Sequence, residues 1–247
     1  MFTRQSVPLR IPDVWRGGLL VAAILAVYAP RLNGPYLWDD RKFLLEQEFP
    51  RLPDAVEILF RSREYLQRWP EWPGYRPLNA LTHIVDFRVW GDQRWGHRLT
   101  NVAIHSANSL LLWRLGLSLT GAGGQAAWAA AALFALHPVV TETIYCAYLR
   151  TDALAALAVL SVLLLWRTRP KTALAIYAAG LFMKETVGLA PLLLWLDPRN
   201  GGRAQGPPLR TTRPGSSPGS SYEVRGRLMP YGIVAGLYLL FRLGVVF

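Results

Sequence analysis

Cys146 is the one cysteine in 247 residues, so neither an internal disulfide nor a thiolate metal cage is available, and the redox compartment is left open. Acidic residues are also scarce: 16 Asp and Glu stand against 27 Lys and Arg, a formal net charge of +11. That excess does not read as nucleic-acid binding, because the arginines are spread over connecting segments and neither a basic recognition helix nor an aromatic RNA-binding motif accompanies them. Most apolar runs fall short of the ~20 residues of a full membrane crossing. No 34-residue helical repeat is visible, and no two halves read as inverted repeats. Tyr28, Pro30 and Arg31 offer no small-residue cleavage site after the first apolar run, which therefore reads as an uncleaved anchor.

Apolar residues are abundant: 52% of the chain is hydrophobic, with ten tryptophans, and they are segregated. Apolar blocks fall at 17–29, 102–119, 126–136, 153–166, 172–183, 187–196 and 231–241, with Arg, Trp and Tyr at their ends and scarcely any charge inside. This pattern predicts an all-α integral membrane protein of about seven transmembrane helices. With the N-terminus inside, Arg4, Arg10 and Arg16, then Arg167, Arg169 and Lys171, then the arginines of 199–227 all fall on the inner side, as the positive-inside rule asks. The arginine-bearing segment 31–98 then lies outside as a large first extracytoplasmic loop, with Trp38, Trp69, Trp72, Trp90 and Trp95 suited to headgroup depth. The organisation expected is a transmembrane region over 1–199, a Gly/Pro/Ser/Arg-rich cytosolic linker over 200–227 that lacks the apolar content to fold alone, and a final helix over 228–247.

Chemistry-bearing residues cluster at the ends of these blocks. Asp39 and Asp40 follow the turn Asn33, Gly34, Pro35 just after the first exit; beside the bilayer a carboxylate there can serve as general base for a lipid-borne substrate, or the pair is a solvated helix cap near Lys42. In "YRPLNALTHIVDFRVWG", Asn79, His83 and Asp86 share one polar face of an amphipathic helix. Lying on the membrane, that helix buries Leu78, Leu81, Ile84 and Val85 and presents Arg76 to an anionic headgroup, or simply anchors the loop. His97, Asn101, His105 and Asn108 recur along one stripe of the second span, as polar glue between helices or a cavity lining. "HPVVTETIYCAYLRTD" gathers His137, Glu142, Arg150 and Asp152 on the outer side; His137 and Glu142 are five apart, so they are no helical metal pair and read as a polar cavity wall. Lys184 and Glu185 sit together inside an otherwise apolar stretch, costly unless they meet partners or water at a helix end. Arg242, near the outer end of the last block, either docks a phosphate or snorkels to the interface.

Taken in order, "WDD", "YRPLNALTH", "RLTNVAIHSAN", "LFALHPVVTETIYCAYLRTDALAAL", "FMKETVGLAPLLLWLD" and "YLLFRL" resemble one family, the GT-C membrane glycosyltransferases, specifically the N-terminal half of the transmembrane and tetratricopeptide-repeat O-mannosyltransferases and their bacterial relatives. The resemblance covers most of 17–244. It implies a polyprenyl- or dolichyl-phosphate sugar donor, a hydroxyl acceptor on protein Ser/Thr or a glycan, and an aspartate of the first outer loop as base. Asp39 and Asp40 both match that position, Asp39 holding the family's usual first place. It makes Arg76, Lys184 and Arg242 the candidate donor-phosphate contacts, with His83, His105, His137, Glu142, Arg150, Asp152 and Glu185 lining the cavity. No cofactor is required by the pattern and no metal ligands are assigned, though a divalent cation is compatible with it. The membrane expected is a bacterial inner membrane or the endoplasmic reticulum, with the site on the extracytoplasmic face. Family members run on through further spans and usually a tetratricopeptide array, so a missing C-terminal half or a tetratricopeptide-repeat partner is expected. The competing reading is an inactive truncated scaffold or a transporter-like protein whose broken helix at Lys184 and Glu185 binds an ion.

Overall fold

The computed structural model describes residues 11–37, 40, 75–120, 124–201 and 221–246. Asp39, the tryptophans at 38, 69 and 72, and most of the linker lie outside the described residues. All regular elements among those described are helices: α1 (Ile11–Tyr28), α2 (Pro77–Trp90), α3 (Arg94–Thr120), α4 (Gly124–Leu136), α5 (Thr141–Tyr145), α6 (Arg150–Leu165), α7 (Pro170–Leu181), α8 (Ala190–Trp195) and α9 (Ser221–Val246), with short 3-10 turns between several of them.

Every apolar block of the sequence falls on a helix, but the lengths differ from those of seven plain spans. Among the described residues two segments, Asp13–Arg31 and Ala147–Leu165, are long and apolar enough to cross a membrane, and the pair Gly124–Leu136 and Pro138–Tyr145, bent by 46°, is a third candidate. The bend follows from Pro138, which forces His137 into an extended conformation at φ −67, ψ 132 and so ends α4. α7 has 12 residues, about 18 Å of helix, and α8 only 6. The apolar run 187–196 is split because Glu185–Leu189 forms a 3-10 turn and Pro191 then restarts the helix at α8.

The packed helices form two apolar groups. Leu20, Ile24 and Tyr28 of α1 pack with Val102 and Trp113 of α3 and with Ala127, Ala131 and Ala135 of α4. Ala158 and Val162 of α6 pack with Tyr177 and Leu181 of α7, Leu194 of α8 and Tyr231 and Tyr238 of α9. Close approach is set by small residues: a Cβ at Gly116 would stand 2.8 Å from Ala127 Cβ, so α3 and α4 touch at backbone distance. α3 is tied by amides to α6, Asn108 Nδ2 donating to Ala153 O at 2.8 Å, and to α5, Asn101 Nδ2 donating to Thr143 O at 3.1 Å.

Helix ends alternate. Tyr28 donates to Ala135 O and Tyr145 to Tyr28 O, while Thr151 donates to Met183 O. At the opposite end Trp128 donates to Arg16 O, Arg199 to Ser118 Oγ and Leu163 O, and Trp166 to Asp197. Successive long helices therefore run antiparallel, and 28, 135–152 and 182–185 share one end, here the site end.

Candidate functional site

The segment Cys146 to Asp152 organises the site end. Cys146 is extended (φ −88, ψ 102), a 3-10 turn covers Ala147–Leu149, and α6 begins at Arg150. Asp40 is fully buried; its Oδ1 accepts from Tyr148 N at 2.9 Å and from the Cys146 thiol at 3.3 Å. Asp40 Oδ2 is also buried, with no hydrogen-bond partner of good geometry among the described residues. Burial pushes the Asp40 carboxyl above its ordinary range, against the pull of the Tyr148 and Ala147 amides, the thiol and Arg98.

Arg150, expected in a cavity wall, is instead 0% exposed. Its guanidinium bonds Asp86 Oδ2, donates to Asn101 Oδ1 at 2.7 Å and His97 O at 3.0 Å, and reaches Thr82 O at 3.3 Å. A buried arginine needs a carboxylate and several acceptors, and α2 supplies them by turning its polar side inward. Asn79, His83 and Asp86 are consequently buried against the protein, as is Ile84, while Val85 is 57% exposed. Burial would raise the Asp86 carboxyl, but His97, Arg150 and Thr100 outweigh it and hold it below the usual range. His83 is driven well below the usual imidazole value by burial, then by Arg150 and His97. α2 closes at Gly91, whose φ of 56 suits glycine, and the Gly91 carbonyl takes a hydrogen bond from His97 Nε2 at 2.9 Å.

Three elements then bring charges together beside this segment. Arg76, at the start of α2, forks onto Glu185, with Nε 3.2 Å from Oε2 and Nη2 2.8 Å from Oε1. Arg242 of α9 approaches the same Oε2 at 3.4 Å and donates to Tyr238 Oη at 2.7 Å. Lys184 pairs with Asp152 at the first turn of α6. The paired guanidiniums pull Glu185 down to about 2, overcoming a desolvation effect that acts the other way. Tyr75, Phe182, Tyr238 and Phe241 form an aromatic wall beside these charges, with ring centroids 5.5–5.9 Å apart.

Arg76, Lys184, Asp152, Glu185 and Arg242 are thus brought together, and Asp40 hangs from the same segment through Tyr148. His105 is not part of that group: Nε2 donates to Ala135 O at 2.9 Å, and the ring packs edge-on to Tyr28, so it serves as interhelical glue. His137 and Glu142 are exposed; His137 Nδ1 accepts from Val139 N at 3.1 Å and caps the turn after Pro138. No group of three or more His, Cys, Asp or Glu side chains placed for a metal occurs among the described residues.

Arg98 was missed in the sequence. Buried at the start of α3, it donates to Tyr145 O at 2.8 Å, Leu32 O at 3.0 Å, Gly34 O at 2.8 Å and Pro35 O, fastening the chain that leads from α1 to Asp40. Its signal was a lone cation at the head of an otherwise uncharged polar stripe, "RLTNVAIHSAN".

No family model matches the chain, and no solved structure does. Curated proteins do. The chain is 35% identical over 133 residues to the Xenopus laevis protein O-mannosyl-transferase tmtc2, a match covering 51% of this chain and 15% of that protein. It is 26% identical over 167 residues to the Mus musculus protein O-mannosyl-transferase TMTC4, covering 61% and 22%. A Caenorhabditis elegans protein O-mannosyl-transferase is 24% identical over 132 residues, covering 51% and 19%. The chain therefore spans about a fifth of the length of the curated relatives it matches, and over about half of its own residues it is similar to proteins named protein O-mannosyl-transferases.

Proposed function

We propose that this chain is the membrane-embedded donor-binding part of an inverting glycosyltransferase that moves a hexose, mannose by its relatives' names, from a polyprenyl- or dolichyl-phosphate to a protein Ser/Thr hydroxyl. In this reading seven spans, α1, α3, α4 with α5, α6, α7, α8 and α9, put the site end on the extracytoplasmic face, with Lys184 and Glu185 in the turn between α7 and α8. The observation that carries it is the meeting of Arg76, Arg242 and Lys184 from three elements distant in sequence, at a helix end flanked by aromatic rings.

The acceptor oxygen attacks the anomeric carbon, the bond to the phosphate oxygen breaks, and the hydroxyl proton passes to a carboxylate. A lipid phosphate leaves as a stabilised anion, so a general acid is dispensable, whereas alkoxide-expelling hydrolases need a second carboxyl group. What the chain must supply is cations on the departing phosphate and a base on the acceptor. Asp40 is buried and already committed to Tyr148 and Cys146, which favours Asp39 as the base and Asp40 as the anchor that fixes its loop.

Transfer from a short polyprenyl-phosphate mannose to a Ser/Thr peptide by the full chain in lipid nanodiscs tests this directly. Asp39→Asn is expected to abolish transfer while leaving donor binding intact, and Arg76→Ala to weaken donor binding. Full transfer by Asp39→Asn rejects the base assignment. Failure of the unmodified chain to bind any prenyl phosphate favours the scaffold or transporter-like reading.

A further inference from the structure

Glu185 holds a position that an anion of another molecule would suit. Two guanidiniums from elements 109 and 57 residues away converge on one carboxylate, and they share its Oε2. A carboxylate offers two oxygens to two five-donor forks, so donors are left over, whereas a phosphate monoester has three terminal oxygens and two charges with the same affinity for planar forks. The Glu185 side chain is the most open of the three at 40% exposure, against 14% for Arg76 and 23% for Arg242, so it can swing out without disturbing the cations. The wall beside it is aromatic, Phe241 packing on Tyr75 and Phe182 and being itself 40% exposed, which matches a phosphate carrying a hydrocarbon tail.

Resting on the donor reading above, we propose that Glu185 is a resident stand-in for the phosphate: it occupies and neutralises Arg76 and Arg242 at rest and is displaced when a prenyl phosphate monoester binds between them. It is a positioning residue that competes with the ligand, so its removal tightens binding. A merely structural staple would weaken binding when removed, because the guanidiniums would lose their alignment.

The test measures binding of farnesyl phosphate and of inorganic phosphate to the full chain in lipid nanodiscs. Glu185→Gln is expected to tighten farnesyl phosphate binding about tenfold, by removing one competing charge near the site, and Glu185→Asp, whose shorter arm loosens the bridge, by less. Unchanged or weaker binding in Glu185→Gln overturns the proposal. The donor reading fails separately if wild type binds farnesyl phosphate no better than the Arg76→Ala/Arg242→Ala double variant. Equal affinity for inorganic phosphate makes the site one for free phosphate and overturns the prenyl part. Carbodiimide-driven amine coupling to Glu185 in wild-type protein, read by mass spectrometry, needs no variant: saturating farnesyl phosphate is expected to increase coupling, and unchanged coupling overturns displacement.

Discussion

At the end of the bundle away from the site, Arg199 meets Asp197 two residues along the chain, and Trp166 completes the acceptor's shell. At the site end three carboxylates are met from far away: Asp40 by Tyr148 at a separation of 108, Asp86 by Arg150 at 64, and Glu185 by Arg76 at 109. In the first arrangement the charge pair itself is local, and Arg199 spends its remaining donors on Ser118 Oγ and Leu163 O. The second needs the whole fold, and it commits the scarce acidic residues to holding the cations of one face in fixed positions. Preorganisation of that kind belongs where charge is to be bound or moved.

The contrast is broken or sharpened first by paired truncations. Arg150→Ala leaves the Asp86 carboxylate buried without its guanidinium and is expected to cost about 3–5 kcal/mol. Arg199→Ala leaves Asp197 with the Trp166 and Arg199 backbone donors and is expected to cost about 1–2 kcal/mol. Unfolding of each variant in mild detergent, followed by tryptophan fluorescence, measures the difference; equal losses would mean that the two ends are held alike.

A second pair separates the anchor role of Asp40 from its charge. Asp40→Ala orphans the buried Tyr148 N–H and is expected to cost about 1–3 kcal/mol. Asp40→Asn keeps an oxygen for that amide and removes a charge that burial already penalises, so its stability is expected to stay within about 1 kcal/mol of wild type. Retained sugar transfer in Asp40→Asn, with loss in Asp39→Asn, assigns the base within the acidic pair.

The helices were legible in the sequence because apolar blocks and their Pro and Arg borders are local signals. Spacing marked Asn101, His105 and Asn108 as one polar stripe but left glue and cavity lining open; their hydrogen bonds to neighbouring helices make them glue. The orientation of α2 was not. Its polar face was visible from spacing, but only the buried guanidinium of Arg150, 64 residues on, explains why Asn79, His83 and Asp86 turn inward. The convergence of Arg76, Lys184, Glu185 and Arg242 followed from the alternation of helix ends, yet which carboxylate meets which cation is a tertiary fact that spacing does not encode. Cys146 carried no readable role because its thiol matters only for the residue it touches.

The smallest effect expected is on the acid limb of stability, and it distinguishes the exposed bridge at Glu185 from the buried pair at Asp86. Glu185 titrates at about 2 in the folded protein against an ordinary 4.5. A carboxyl lowered by folding contributes stability that is present in full above the unfolded value and is lost as pH falls through the folded one. Between about pH 4.5 and 2 wild type is therefore expected to lose an increment that Glu185→Gln lacks, small because the bridge is partly open to water. Melting temperatures in detergent at pH 7, 4.5 and 3 check it: the gap between wild type and Glu185→Gln should narrow toward acid, and a gap that stays constant would mean that the two guanidiniums do not hold this carboxylate in solution.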